Sequence, residues 1–152
     1  MNEGKRPGGL TALAIINFIL AGLSSLSLFG MVALFGLIDT MPTEKMDEAQ
    51  RAQMEAVQNM GMPTLVLIVV LTLLSGVLLL LSGIGYLKQK KVLGRLVGNI
   101  YALSAIVGSL VSGLLFKPEL GGGFHFGTII GLIYPILTLA LINTTFKDDL
   151  TN

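Results

Sequence analysis

The polar and sulfur-bearing side chains that could do chemistry in this 152-residue chain are few, and most sit in apolar surroundings. Asn17 and Asn99 are the strongest polar groups inside long apolar runs, and Tyr101 and Tyr134 join them. Such residues either line a substrate path or make interhelical hydrogen bonds, each worth about 0.6 kcal/mol on average. Five of the seven methionines fall between 41 and 62: Met41, Met46, Met54, Met60 and Met62. Soft thioethers can bind Cu(I), and the Met60-Gly61-Met62 spacing suits it. Methionine also fills irregular apolar contacts, and three of these lie on the apolar side of a helical wheel. His125, between Phe124 and Phe126, is either a pH-sensitive group or an interfacial residue flanked by membrane anchors. Lys88, Lys90, Lys91 and Arg95 form a basic turn that sets topology and could hold anionic lipid head groups.

Other chemistries are excluded by residue type. There is no cysteine, so no disulfide, thiolate metal site, cysteine nucleophile or lipidated cysteine. One histidine cannot alone build a zinc site. The Gly121-Gly122-Gly123 run lacks the Lys-Ser/Thr ending of a phosphate loop. No catalytic constellation, cofactor site or metal site is expected. Net charge is +1, so there is no basic field for nucleic acid.

The elements that hold these residues are written in the charge distribution. Hydrophobic residues make up 53% of the chain, charged residues only 12%, and mean hydropathy is +0.80. This is an integral membrane composition. Four runs lack Asp, Glu, Lys and Arg: 7–38, 56–87, 96–116 and 120–146. They hold 112 residues, so all nineteen charges crowd into the other 40. A spanning helix needs about 20 apolar residues, and each run supplies one. The expected helices are 10–37, 63–87, 93–116 and 127–146. The first is twice the length of a signal-peptide core, so it reads as a retained helix. The expected fold is an all-α membrane protein: an antiparallel four-helix transmembrane bundle in one domain, 1–152.

Four spans place both termini on one side. Residues 1–9, 88–95 and 147–152 share it, with seven of the ten basic residues. Lys45, Arg51 and Lys117 lie opposite, so both termini are expected in the cytoplasm.

Between spans 1 and 2, residues 43–60 read as an amphipathic extracytoplasmic helix. Met46, Ala49, Met54, Ala56, Val57 and Met60 share one side; Glu44, Asp47, Glu48, Arg51 and Glu55 share the other. Pro42 and Thr43 are a plausible start, and Gly61 and Pro63 end it. The third span carries the clearest packing signal. Gly94, Gly98, Ala102, Ala105, Ser109 and Ser112 lie within about 80° on a wheel. Such a stripe lets a helix approach closely, most simply one of the same chain, otherwise one of another subunit. Gly127 and Gly131 form a further GxxxG pair before Pro135, which removes a backbone hydrogen bond and is expected to kink its helix.

Three segments resemble those of a loose group of uncharacterised small bacterial four-helix membrane proteins. They are Arg6-Pro7-Gly8-Gly9-Leu10-Thr11-Ala12-Leu13-Ala14, then Ser82-Gly83-Ile84-Gly85-Tyr86-Leu87 before the basic turn with Gly94-Arg95, and Tyr134-Pro135 with Phe146-Lys147. That group is similar in an RPxGxTxLA-like start and a GIGLLRxRRxGR-like turn. Here lysines stand where arginines are common. The resemblance implies the four-helix architecture and a bacterial inner membrane, and carries no activity or substrate.

No span has a central ionisable residue, which argues against proton- or ion-coupled transport. The expected function is a non-enzymatic scaffold or accessory subunit, with membrane lipids and a membrane-protein partner or a second copy as partners. The alternative is a subunit of a small oligomeric channel or transporter that uses no buried charge. It is motivated by the Gly-rich third and fourth spans, the Pro135 kink and Ser24, Ser25 and Ser27.

Overall fold

A computed structural model describes residues 7–37, 47–59, 61–115 and 126–150. Among the described residues five α-helices follow one another: α1 (Gly8–Leu37), α2 (Glu48–Gln58), α3 (Met62–Leu87), α4 (Val97–Leu115) and α5 (Phe126–Asn143). A π-helical turn, Lys91–Leu96, leads directly into α4. No strand occurs among the described residues.

Among the described residues, three segments are long and apolar enough to cross a membrane: Gly8–Ala33, Met62–Leu87 and Lys91–Val111. Helix α5 has 18 residues, and its apolar stretch Gly131–Asn143 is shorter. Large apolar side chains such as Leu26, Phe29, Val66, Val107 and Ile133 are about half exposed or more. On a protein in water, faces of this kind would be an association hazard; against lipid they are the expected exterior.

Helix ends differ from the sequence reading by a few residues, and two of them have a local structure to explain them. The last helix stops at Asn143 rather than 146, and the chain turns from Thr144 onward. The Thr144 hydroxyl donates to Ala140 O at 2.7 Å. The following turns tuck Phe146 and Leu150 back under the helices, where both are buried. The amphipathic helix begins at Glu48 with Asp47 as its cap. Gln50 N–H donates to Asp47 Oδ1 at 2.7 Å, and Asp47 N–H donates to Gln50 Oε1 at 3.2 Å. This reciprocal pair is a capping box, which satisfies two otherwise orphan donors. The expected start at Pro42-Thr43 lies outside the described residues, as do Met41, Met46, Met60 and the Lys117–His125 loop. Within α2, Met54 is buried while Asp47, Glu48, Arg51 and Glu55 are exposed, as an amphipathic helix requires.

Helix α1 packs along α3, α3 against the π-turn and α4, and α4 against α5. The contacts join the start of α1, the end of α3, the start of α4 and the end of α5. A methyl group added at Gly83 would lie 3.3 Å from Asn17 Cβ, and one at Gly76 would lie 4.0 Å from Ser24 Cβ. Gly85 and Gly94 approach each other closely. A Cβ on Gly85 would run into the backbone of Leu93 and Gly94, so this turn needs glycine.

Burial is strongly one-ended. The fully buried residues of the four long helices all lie in the half next to the α3–α4 turn and the start of α1. Leu10, Leu13, Ala14, Tyr86, Ile142, Phe146 and Leu150 form one apolar layer there. Ala21, Leu79, Tyr101 and Ala102 form a second layer farther in. Beyond it, Gly22, Gly30, Gly108 and Gly131 have open space around their Cα atoms.

Candidate functional site

Between the two apolar layers lies a polar one. Asn17 on α1 is fully buried, and so are Ser82 on α3 and Thr138 on α5. Asn17 Nδ2 donates to Ser82 Oγ at 2.6 Å. Ser82 Oγ in turn donates to its own helix at Leu79 O, 3.1 Å away. From α5, Tyr134 Oη donates to Asn17 Oδ1 and lies 3.5 Å from Leu13 O. One carboxamide therefore ties three helices together. Tyr101 on α4 completes the ring of helices, its ring 6.5 Å from that of Tyr134 at 54°, within the range of favourable tilted aromatic pairs.

The local sequence explains these positions. Ser82 and Tyr86 are four residues apart on α3, as are Tyr134 and Thr138 on α5, so each pair shares one helix face. Tyr86 is fully buried with its hydroxyl against Gly98 on α4; a Cβ there would collide with it and would lie 3.2 Å from Ile142 Cδ1. Gly98 thus makes room for the tyrosine.

A second polar cluster joins α4 and α5 at the edge of the assembly. Asn143 Nδ2 donates to Asn99 Oδ1 at 2.6 Å and to Leu139 O at 2.9 Å. Asn143 Oδ1 accepts from Asn99 Nδ2 and from Arg95 Nε, both at 3.3 Å. The reciprocal amide pair uses both side-chain N–H groups of Asn143 and one of the two on Asn99.

The expected site residues sort as follows. Asn17, Tyr134 and Asn99 all make interhelical hydrogen bonds. The small-residue face of the third span meets helices of the same chain over its first half: Gly94 meets Gly85 and Leu150, Gly98 meets Tyr86 and Ile142, and Ala102 is fully buried. Ala105 and Ser109 are half-buried, and the surroundings of Ser112 and Gly127 lie outside the described residues. Gly131 departs from the packing expectation: it is exposed, with nothing within 4 Å of an added Cβ. Lys88, Lys90 and Lys91 are exposed, while Arg95 is half-buried and held by Asn143. No group of three or more His, Asp or Glu that could hold a metal ion occurs among the described residues.

Ser82, Tyr86, Thr138 and Asn143 were not singled out from sequence as site residues. The available signal was the four-residue spacing of Ser82–Tyr86 and Tyr134–Thr138 within otherwise apolar helices. Elsewhere, hydroxyls bond to their own helix: Ser25 to Ala21 O at 2.9 Å, Thr72 to Ile68 O at 2.8 Å and Ser104 to Tyr101 O at 2.8 Å. This back-bonding is the ordinary fate of a lone hydroxyl in an apolar helix.

No protein-family model matches the chain, and no curated protein or solved structure matches it.

Proposed function

We propose that this chain is a multi-pass protein of a bacterial inner membrane that acts through interaction, as a non-enzymatic scaffold or accessory subunit. The architecture proposed is an antiparallel four-helix transmembrane bundle with cytoplasmic termini and α2 on the opposite face. Opposed running of α1 and α3 is supported by the pairing of Ser24 with Gly76 and of Asn17 with Gly83. Cytoplasmic termini are supported by the basic turn at 88–95.

The observation that carries the functional reading is how the intramembrane polar groups are used. Asn17, Ser82 and Tyr134 bond to one another between two apolar layers, and Asn99, Asn143 and Arg95 do the same. A transport path needs polar groups facing a passage; these face each other. The half of the assembly beyond Ala102 has loosely packed faces with small residues, including Gly108, of the kind that lets another transmembrane helix approach closely.

Purification of the tagged full chain in mild detergent tests this. The expected result is reproducible recovery of a second membrane protein, or of a stoichiometric homo-oligomer. Repeated recovery of the monomer alone, together with solute flux in liposomes, would overturn the reading in favour of a channel or transporter.

A further inference from the structure

Two atoms stand out in the polar layer. Tyr86 Oη and Thr138 Oγ1 are fully buried and make no hydrogen bond of normal geometry among the described residues, although Ser82 and Asn17 lie near the first and Tyr134 near the second. Native structures rarely leave buried hydroxyls unpaired, and the cost is higher where the surroundings are apolar. Both lie near the level of Ile142. Tyr86 Oη lies against Gly98 beside Ile142, and Thr138 is one turn from Ile142 and one turn from Tyr134. Asn17 and Ser82 close the same level from α1 and α3.

We infer that this layer is a binding site for ordered water, held by Tyr86 and Thr138 and continuous with the Asn17–Ser82–Tyr134 network. The chemistry selects water over other occupants. A bound water needs two to four polar partners, and the layer offers neutral donors and acceptors from α1, α3 and α5. None of the apolar helices carries a carboxylate, which disfavours a metal cation. Apolar side chains flank the layer on both sides, with Leu13, Ile142 and Phe146 below and Ala21, Leu79 and Ala102 above, which disfavours a larger solute. The water extends the asparagine-centred network to Tyr86 and Thr138, joining two further buried hydroxyls to it.

The test uses the full chain in detergent micelles. Water-selective NOE spectra of the wild type are expected to show long-lived water at the Tyr86 ring and the Thr138 methyl group. Tyr86→Phe should abolish the water signal at Thr138. Tyr86→Phe and Thr138→Val should each lower the thermal midpoint by about 2–4 °C. The double variant should lose less than the sum, because both remove a partner of the same water. Absence of water signals at these side chains in the wild type would overturn the inference. So would a higher midpoint for Tyr86→Phe, the result expected when a dry, unpaired hydroxyl is removed. A midpoint that moves when sodium or potassium is replaced by N-methylglucamine would assign the site to a monovalent cation instead.

Discussion

Asn17 on α1 and Ser82 on α3, 65 residues apart in sequence, are joined by a 2.6 Å hydrogen bond inside the helical assembly. Asn17 has its carboxamide engaged at both ends, since Tyr134 on α5 donates to its oxygen. Replacing it with leucine leaves the Tyr134 hydroxyl without that acceptor and the Ser82 hydroxyl without that donor. Asn17→Leu should therefore cost about 1–2 kcal/mol, read as a lower midpoint in SDS-titration unfolding. Ser82→Ala should cost less, because Ser82 also bonds within its own helix. Equal stability of wild type and Asn17→Leu would show that the network does not hold α1 to α3 and α5.

Asn99 and Asn143 form a reciprocal pair between α4 and α5. Asn99→Leu and Asn143→Leu should each destabilise the protein by about 0.6–1.7 kcal/mol, the span seen for interhelical hydrogen bonds in membranes. The double variant should lose little more than either single one, since either change breaks the same pair. A fully additive double variant would mean that the two side chains act independently.

Glycines at close and open positions should respond in opposite ways. A Cβ at Gly85 meets the backbone of Leu93 and Gly94, which cannot move aside without opening the turn. Gly85→Ala should be severely destabilising, through overpacking of about 1–3 kcal/mol or more. Gly108 is a helical glycine with open space around it. Gly108→Ala should be neutral or stabilising by up to about 1 kcal/mol from helix propensity alone. If Gly108 meets a partner helix, Gly108→Leu should reduce co-purification of that partner while leaving the chain's own unfolding midpoint unchanged.

The capping box at the start of α2 gives a local prediction. Asp47→Ala removes the acceptor for Gln50 N–H and should weaken α2 by about 1 kcal/mol. The expected signature is faster amide exchange within 48–52, with exchange in α3 unchanged. Uniform acceleration across all helices would contradict a local role.

Orientation can be read directly, because the chain contains no cysteine and therefore no background thiol. Gln58→Cys lies at the end of α2, and Gln89→Cys lies in the basic turn, which also contains exposed lysines. In intact cells, a membrane-impermeant maleimide should label Gln58→Cys and spare Gln89→Cys until the membrane is opened. The reverse pattern would invert the proposed topology.

The spans were legible in the sequence because helix formation in an apolar solvent is decided locally. Each backbone N–H and C=O must be satisfied within its own segment, so a charge-free run such as 56–87 is sufficient to mark α3. Asn17, Asn99 and Tyr134 were legible for the same reason, as polar atoms standing in apolar runs. Their partners were not. Whether Asn17 meets Ser82, Ser75 or a second chain depends on the rotation and register of α1 against α3, and those depend on contacts such as Gly83 against Asn17 and Phe18. Asn143 gave no sign in the sequence of its partner, which is Asn99 once α5 packs beside α4. Phe146 read as the end of the last expected helix and Leu150 as part of the tail after it, yet the turn after Asn143 buries both, since the floor under Gly9 and Gly94 accepts their side chains. Composition and charge spacing determined which segments are long and apolar enough to cross a membrane and which residues could bond there. Only the packing of one helix against another decided which of those bonds exist, because hydrogen bonds between helices connect residues far apart in the chain.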